Sequence, residues 1–226
     1  MKKHFKLVII AVLFSFFANG QGYDRGSSIN IGTRTPDRFY TKESELLGSP
    51  YVNKVFMVAK VENIKGIVPM RYNAYSDEFE FLDDKNDTLV LLKNKTFDNI
   101  VFTAKQTNYR LVDYTNKDGE EIKGYLISLV TKNGFTLYKK QKISYNPEKP
   151  SRNTYEKTIS ANFSIDKEIY YLKHNDEEII EFPSSKKALL KQYPEKKDAI
   201  EAFIKENKIS FSKEEDLIKL VGFLAS

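Results

Sequence analysis

Residues 70–92 constrain the fold of this chain more than any other stretch. They read Met-Arg-Tyr-Asn-Ala-Tyr-Ser-Asp-Glu-Phe-Glu-Phe-Leu, then an Asp/Asn-rich turn, then Thr-Leu-Val-Leu-Leu. Side chains on an extended strand alternate between two faces, so Phe79 and Phe81 share one face and Glu78 and Glu80 the other. Asp83-Asp84-Lys85-Asn86-Asp87 gathers turn-forming residues and returns the chain into Leu89 and Leu91. The pattern predicts an antiparallel hairpin with its carboxylate face in solvent.

Two further turns repeat the message. Asp118-Gly119 separates Tyr109-Arg110-Leu111-Val112-Asp113-Tyr114 from an apolar run at residues 122–130, and Asn133-Gly134 leads into Phe135-Thr136-Leu137-Tyr138. Both dipeptides tolerate positive φ and predict two-residue type I′ hairpins. Further strands are predicted at residues 55–61, 67–75, 100–102, 155–165, 168–173 and 178–182, about nine to eleven strands in all at this spacing. Residues 146–153, with Pro147 and Pro150, read as an exposed loop. Sixteen Phe, fourteen Tyr and no Trp suit pleated surfaces.

Past Pro183 the apolar period changes from 2 to 3.6. Ser184 is placed to cap a helix carrying Leu189, Leu190 and Tyr193. Pro194 suits the first turn of a second helix with Ala199, Ile200, Phe203 and Ile204 on one stripe. Ser212-Lys213-Glu214-Glu215 reads as a capping box ahead of Leu217, Leu220, Val221 and Leu224. The fold class expected is α+β: an antiparallel β-meander, forming a curved sheet or sandwich, followed by a C-terminal bundle of three short helices.

The organisation expected along the chain has four parts. Residues 1–20 read as a signal peptide: Lys2, Lys3 and Lys6 precede an apolar run at residues 7–17, and Ala18-Asn19-Gly20 places the cut between Gly20 and Gln21. That run of about a dozen residues is too short to span a bilayer, so no transmembrane segment is expected after cleavage. Residues 21–49 form an extended arm or linker, residues 50–182 the antiparallel domain, and residues 183–226 the helical segment packed on it. The chain carries 36 basic and 31 acidic residues; cleavage removes three lysines and no acid, leaving 33 basic. An excess of about two charges is no nucleic-acid footprint, and no nucleic-acid partner is expected.

Composition also narrows the chemistry. With no cysteine and only His174 beyond the leader, the usual Cys/His zinc sets and a thiol nucleophile are unavailable. No Gly-x-Ser-x-Gly elbow presents a serine to His174. Gly119 to Gly124 has the glycine spacing of a phosphate loop, but Tyr125 stands where its lysine belongs. The acidic turn at Asp83 to Asp87 lacks the spacing of a calcium loop and reads as a polar hairpin turn. No catalytic residue, cofactor or metal is assigned. Tyr138, Lys139, Lys140 and Lys142 interleave aromatic and basic groups; they read as an anionic-partner patch or as the lysine guard of an edge strand.

From the leader through Gly48-Ser49-Pro50-Tyr51 and residues 71–81 to Glu214-Glu215-Asp216-Leu217-Ile218, the chain resembles exported β-rich proteins of Bacteroidota, a group with no assigned function. The resemblance implies a Gram-negative envelope and a periplasmic or secreted destination. It also implies an O-glycosylation tripeptide of the Asp-Thr-aliphatic type at Asp87-Thr88-Leu89, with Thr88 as acceptor.

The function expected is a non-enzymatic envelope protein, a binding or scaffold module for an unknown protein or envelope component. The alternative is a periplasmic carrier of an apolar ligand such as a lipid or lipoprotein, by analogy of layout. A third reading is a carboxylate-dependent hydrolase using Asp77 or Glu78.

Overall fold

The computed structural model describes residues 33–37 and 46–226, apart from 152, 154 and 156. The cleavage point at Gly20 and Gln21 and most of the arm lie outside the described residues.

The first half of the chain is built of β1 (Thr33–Arg34), β2 (Met57–Val61), β3 (Val68–Asn73), β4 (Glu78–Leu82), β5 (Thr88–Leu91), β6 (Asn99–Phe102) and β7 (Thr107–Thr115). The second half adds β8 (Glu121–Lys132), β9 (Phe135–Lys140), β10 (Ile143–Asn146), β11 (Asn162–Ile165), β12 (Ile169–His174) and β13 (Ile180–Glu181). One 11-stranded sheet runs β1-β5-β4-β3-β2-β6-β7-β13-β12-β9-β8, and β10 pairs separately with β11. The architecture is mostly antiparallel sheet with three C-terminal helices, as the sequence pattern predicts. One parallel step interrupts the meander, where Ile180 of β13 sits opposite Thr115 of β7. Because β7 also pairs with β8, the strands β7, β13, β12, β9 and β8 form a ring. Its cluster is Tyr114, Leu126, Tyr138, Tyr171 and Ile179.

The remaining strands curl rather than lie flat. The β3–β4 tip carries Asp77, which reaches the Tyr125 amide on β8 although β2, β6 and β7 lie between β3 and β8 in the sheet. The interior of that curl is aromatic. Phe79 lies 4.7 Å from Tyr125 and 5.1 Å from Tyr109, both edge-on, and 5.0 Å from Tyr72. Such pairs add about 0.5–1.5 kcal/mol each beyond their area burial.

Local turn chemistry explains most of the hairpins. At Asn133-Gly134 both φ angles are positive, 44° and 83°, as a type I′ turn requires. The Asp118-Gly119 loop differs from its expected form. Only Gly119 takes positive φ there, Gly119 N donates to Asn116 O, and Asn116 N to Glu120 O. That is a three-residue loop with a bulge glycine, stabilised because the Asn116 side chain accepts from the Asp118 and Glu120 amides. The Asp83 carboxylate is used in the same way, accepting from Lys85 and Asp87 amides.

Helix α1 (Lys186–Gln192) is capped by Ser185, one residue later than predicted, its hydroxyl accepting from Ala188 N at 3.3 Å. Pro194–Lys196 forms a 3₁₀ turn into α2 (Lys197–Glu206). Helix α3 (Glu214–Leu224) lacks the predicted capping box. Lys213 holds the cap position, while Ser212 is drawn into a turn by the Ser210 hydroxyl and Asp216 takes the Ser210 amide. Helices this short are not stable alone. They bury Leu189, Ile200, Leu217, Leu220 and Leu224 against Leu137 and Leu172 of the ring. Each such side chain contributes about 1.5–3 kcal/mol relative to exposure. Lys132 Nζ and Asn133 Nδ2 donate to the Gly222 and Ala225 carbonyls, fastening the end of α3 to the β8–β9 turn.

Candidate functional site

The densest chemistry lies where the β3–β4 tip meets the ring. Asn73 Oδ1 accepts from the amides of Tyr75 and Ser76, folding a tight turn that leaves Asp77 at φ 58°. Asp77 then points at β8. Its Oδ1 accepts from Lys140 Nζ at 2.5 Å and Tyr72 Oη at 2.5 Å, and its Oδ2 from Lys93 Nζ at 2.7 Å. Lys140 completes its shell with Tyr72 Oη and Tyr125 O, both at 3.2 Å. Burial pulls the Lys140 ammonium down, opposed by Asp77 beside it. Burial, and then the Asp77 charge, pushes the Tyr72, Tyr114 and Tyr125 phenols up. Every donor and acceptor of the Asp77–Lys140 pair is met from within, so the cluster works as a latch closing the curl onto the ring.

A second buried pair lies on the outer face of the same hairpin. Glu80 was expected in solvent and is 2% exposed. Residues 50–52 run alongside the end of β3, with Ala74 N donating to Pro50 O and Val52 N to Tyr72 O. That segment covers the carboxylate. Arg71 donates to Glu80 Oε2 from Nε at 3.0 Å and Nη2 at 2.6 Å, and Tyr51 Oη donates to Oε1 at 3.0 Å. The guanidinium sits 3.8 Å over the Tyr51 ring and 4.5 Å over Phe56. Glu78 is engaged by Arg34 of β1. The two carboxylates considered for hydrolysis, Asp77 and Glu78, are thus both held in ion pairs.

The aromatic–basic set on β9 does not present one face. Tyr138 and Lys140 turn inward and are buried, whereas Lys139 turns outward to Glu168 at 3.3 Å and Glu214 at 2.5 Å. Lys142 is exposed. Nor is β9 an edge strand, since it pairs with β8 and β12. The lysine-guard reading is therefore corrected: these lysines fasten the hairpin tip and helix α3. Thr88 opens β5 opposite Leu82, half-buried, with Asp87 exposed beside it. His174 stacks on Phe135 at 4.1 Å and faces Glu177 at 3.4 Å. Among the described residues no three His, Cys, Asp or Glu side chains converge to hold a metal ion.

Sequence reasoning missed the Asp77–Lys140–Lys93 cluster because its members lie up to 63 residues apart. One trace was present: Gly124 interrupts an apolar strand, and a glycine there marks close approach by another group. It missed β10 as well. On the β10–β11 ribbon, Ile143 pairs with Ile165 and Tyr145 with Phe163, so all four share a face. Ile143 and Phe163 are buried, but Tyr145 stays partly open and Ile165 is 85% exposed. Tyr75, from the β3–β4 tip, packs edge-on at 5.5 Å from Phe163 and is 43% exposed. Leu47 and Ile159 are exposed beside the ribbon, bridged to Asn162 and Lys149.

Fold and site together define a β-rich protein with a helical cap, closed by internal ion pairs and carrying an exposed apolar ribbon. No family model, curated protein or solved structure matches the chain. Among the described residues no helix is long and apolar enough to cross a membrane.

Proposed function

We propose that this chain is a non-enzymatic exported protein of a Gram-negative envelope, a binding or scaffold module that engages another protein or envelope component. The observation that carries the reading is the ribbon. Tyr75, Tyr145 and Ile165 lie on or against one small sheet, with Leu47 and Ile159 nearby. Clustered apolar exposure of this kind is used for association. The buried charges favour the same reading, since they are consumed in closing the fold. A carrier of a large apolar ligand is less favoured, because aromatic rings in van der Waals contact fill the curl.

The test is cross-linking in the envelope of the host, followed by native mass spectrometry of the captured complex. A defined protein partner with wild type, lost in the Tyr75→Ser/Ile165→Ser double variant, supports the reading. Co-purification of lipid alone, unaffected by that variant, would move the function to the carrier. The resemblance-based modification at Thr88 belongs to the same proposal. An intact mass from the host that Thr88→Ala leaves unshifted, beyond the substitution itself, would refute it.

A further inference from the structure

The buried Asp77–Lys140 pair has the geometry for condensation as well as for ion pairing. We propose that the two side chains join in an isopeptide bond between Lys140 Nζ and Asp77 Cγ, tying β9 covalently to the β3–β4 tip. The ion pair described above is the reactant state of that bond.

Proximity comes first. Nζ lies 2.5 Å from Oδ1, and with the C–O bond beyond it this sets Nζ at about the 3–3.5 Å from Cγ of a near-attack pair. Separate parts of the fold hold the two groups there. Asp77 is aimed by the turn that Asn73 folds and by the Tyr125 amide, which donates to both of its oxygens at 3.3 Å. Lys140 is fixed by Tyr72 Oη and Tyr125 O. Groups so oriented within one molecule react as though at about 10⁵–10⁸ M. Surroundings come second. Lys140 is 7% exposed, and a low dielectric penalises two charges more than the neutral amide that replaces them. Burial also pulls the ammonium down, so it yields a proton more readily. The chain has no cysteine, so no disulfide can make such a tie.

The step balances without an outside acid or base. Lys140 gives up one proton, and the freed Nζ lone pair attacks Cγ. Charge that develops on Oδ1 is met by Tyr72 Oη and the Tyr125 amide. The Cγ–Oδ2 bond then breaks, and Oδ2 leaves as water with the two protons that Nζ has shed. Lys93 Nζ, 2.7 Å from Oδ2, lends the departing oxygen a proton and is made whole by the second proton from Lys140. An ammonium and a carboxylate have become an amide and water. Lys93 is 29% exposed and also donates to the Lys123 carbonyl, so its charge stays solvated when the carboxylate is gone.

Tryptic mapping of wild-type protein isolated from its host reads the bond directly. Cleavage after Arg71 and Lys85 isolates residues 72–85, while an acylated Lys140 is no longer a cleavage site and leaves residues 140–142. The expected product is one branched peptide, lighter than the sum of the two by one water, with its fragments branching at Asp77 and Lys140. Asp77→Asn should give the same branched peptide by loss of ammonia. Lys140→Arg keeps the cation without the nucleophile and should release the two segments unlinked. Lys93→Gln should slow linking by about a hundredfold, the size of a general-acid contribution. Residues 72–85 recovered from folded wild type only as the free peptide would overturn the bond. Linking at an unchanged rate in Lys93→Gln would overturn the part given to Lys93.

Discussion

Gly124 vacates the space that Asp77 fills. A Cβ built on Gly124 would lie 2.5 Å from Asp77 Oδ2 and 3.2 Å from the Tyr114 ring. The residue opposite, Val112, belongs to the ring, while Asp77 belongs to the far hairpin. The latch therefore needs a hydrogen at position 124.

Gly124→Ala should accordingly break or displace the Asp77–Lys140–Lys93 contacts. The expected cost is roughly 2 kcal/mol, a fall of about 4–8 °C in Tm for a chain of this size. Thermal unfolding followed by circular dichroism measures it. An unchanged Tm would mean that the hairpin tip moves aside freely and that the latch contributes little.

The Arg71–Glu80 pair should behave as a buried ion pair. Arg71→Met leaves a carboxylate at 2% exposure with only Tyr51 hydrogen-bonded to it among the contacts described above, and should cost about 3–5 kcal/mol. The double variant Arg71→Met/Glu80→Met removes the stranded charge and should recover much of that loss. Urea unfolding of the two singles and the double closes the cycle, and additive losses would contradict it.

Stability should fall as pH rises above about 10. The Tyr72, Tyr109, Tyr114 and Tyr125 phenols are all pushed above their ordinary range by burial, and Tyr171 is pushed up to about 12. Folding thus holds protons that the unfolded chain releases near pH 10, so the stabilisation is full below that pH and is lost through the folded values. Lys140 acts in the opposite sense, because its folded value is lowered. The unfolded chain there binds the extra proton, and stability gains slightly as pH rises towards 10.5. Several tyrosines outweigh one lysine. Exposed phenols ionise without unfolding, so the test is the remaining tyrosinate absorbance, which should rise cooperatively with loss of the far-ultraviolet circular dichroism signal. Ionisation of all the phenols while that signal stays native would contradict the burial.

Gly48→Ala should loosen the ribbon without touching the latch. Gly48 has φ 84°, and a Cβ there would meet Phe163 O at 2.3 Å. The substitution combines a strained backbone with a clash against a main-chain atom that cannot swing away. Faster proteolytic cutting between residues 147 and 161 is the expected readout, with Gly66→Ala as a control: its Cβ would meet nothing within 4 Å, although its φ of 87° is strained as well.

Much of the secondary structure was legible because its causes are local. Asn133-Gly134 specified its own turn, the Phe79/Phe81 alternation specified a buried face, and the Leu217, Leu220, Val221 and Leu224 spacing specified the buried stripe of α3. The misreadings share one origin. Glu80 alternates as a solvent-facing residue should, yet residues 50–52 cover it. Lys139 and Lys140 read as a guarded edge, yet β12 arrives from much later in the chain to pair with β9, Tyr170 opposite Lys139 and Ile169 opposite Lys140. Ser212 reads as a cap, yet Ser210 and Asp216 rearrange the turn around it.

By itself the sequence determined the succession of strands and helices, most turn positions and the apolar faces, since dihedral preference and side-chain periodicity act within a few residues. Only the tertiary structure decided that β13 joins β7 in parallel, that Asp77 reaches Lys140 and Gly124, and that Glu80 lies under Tyr51. Those contacts form between segments tens of residues apart, where the chain pattern carries no distance information and packing of the whole decides which charges meet.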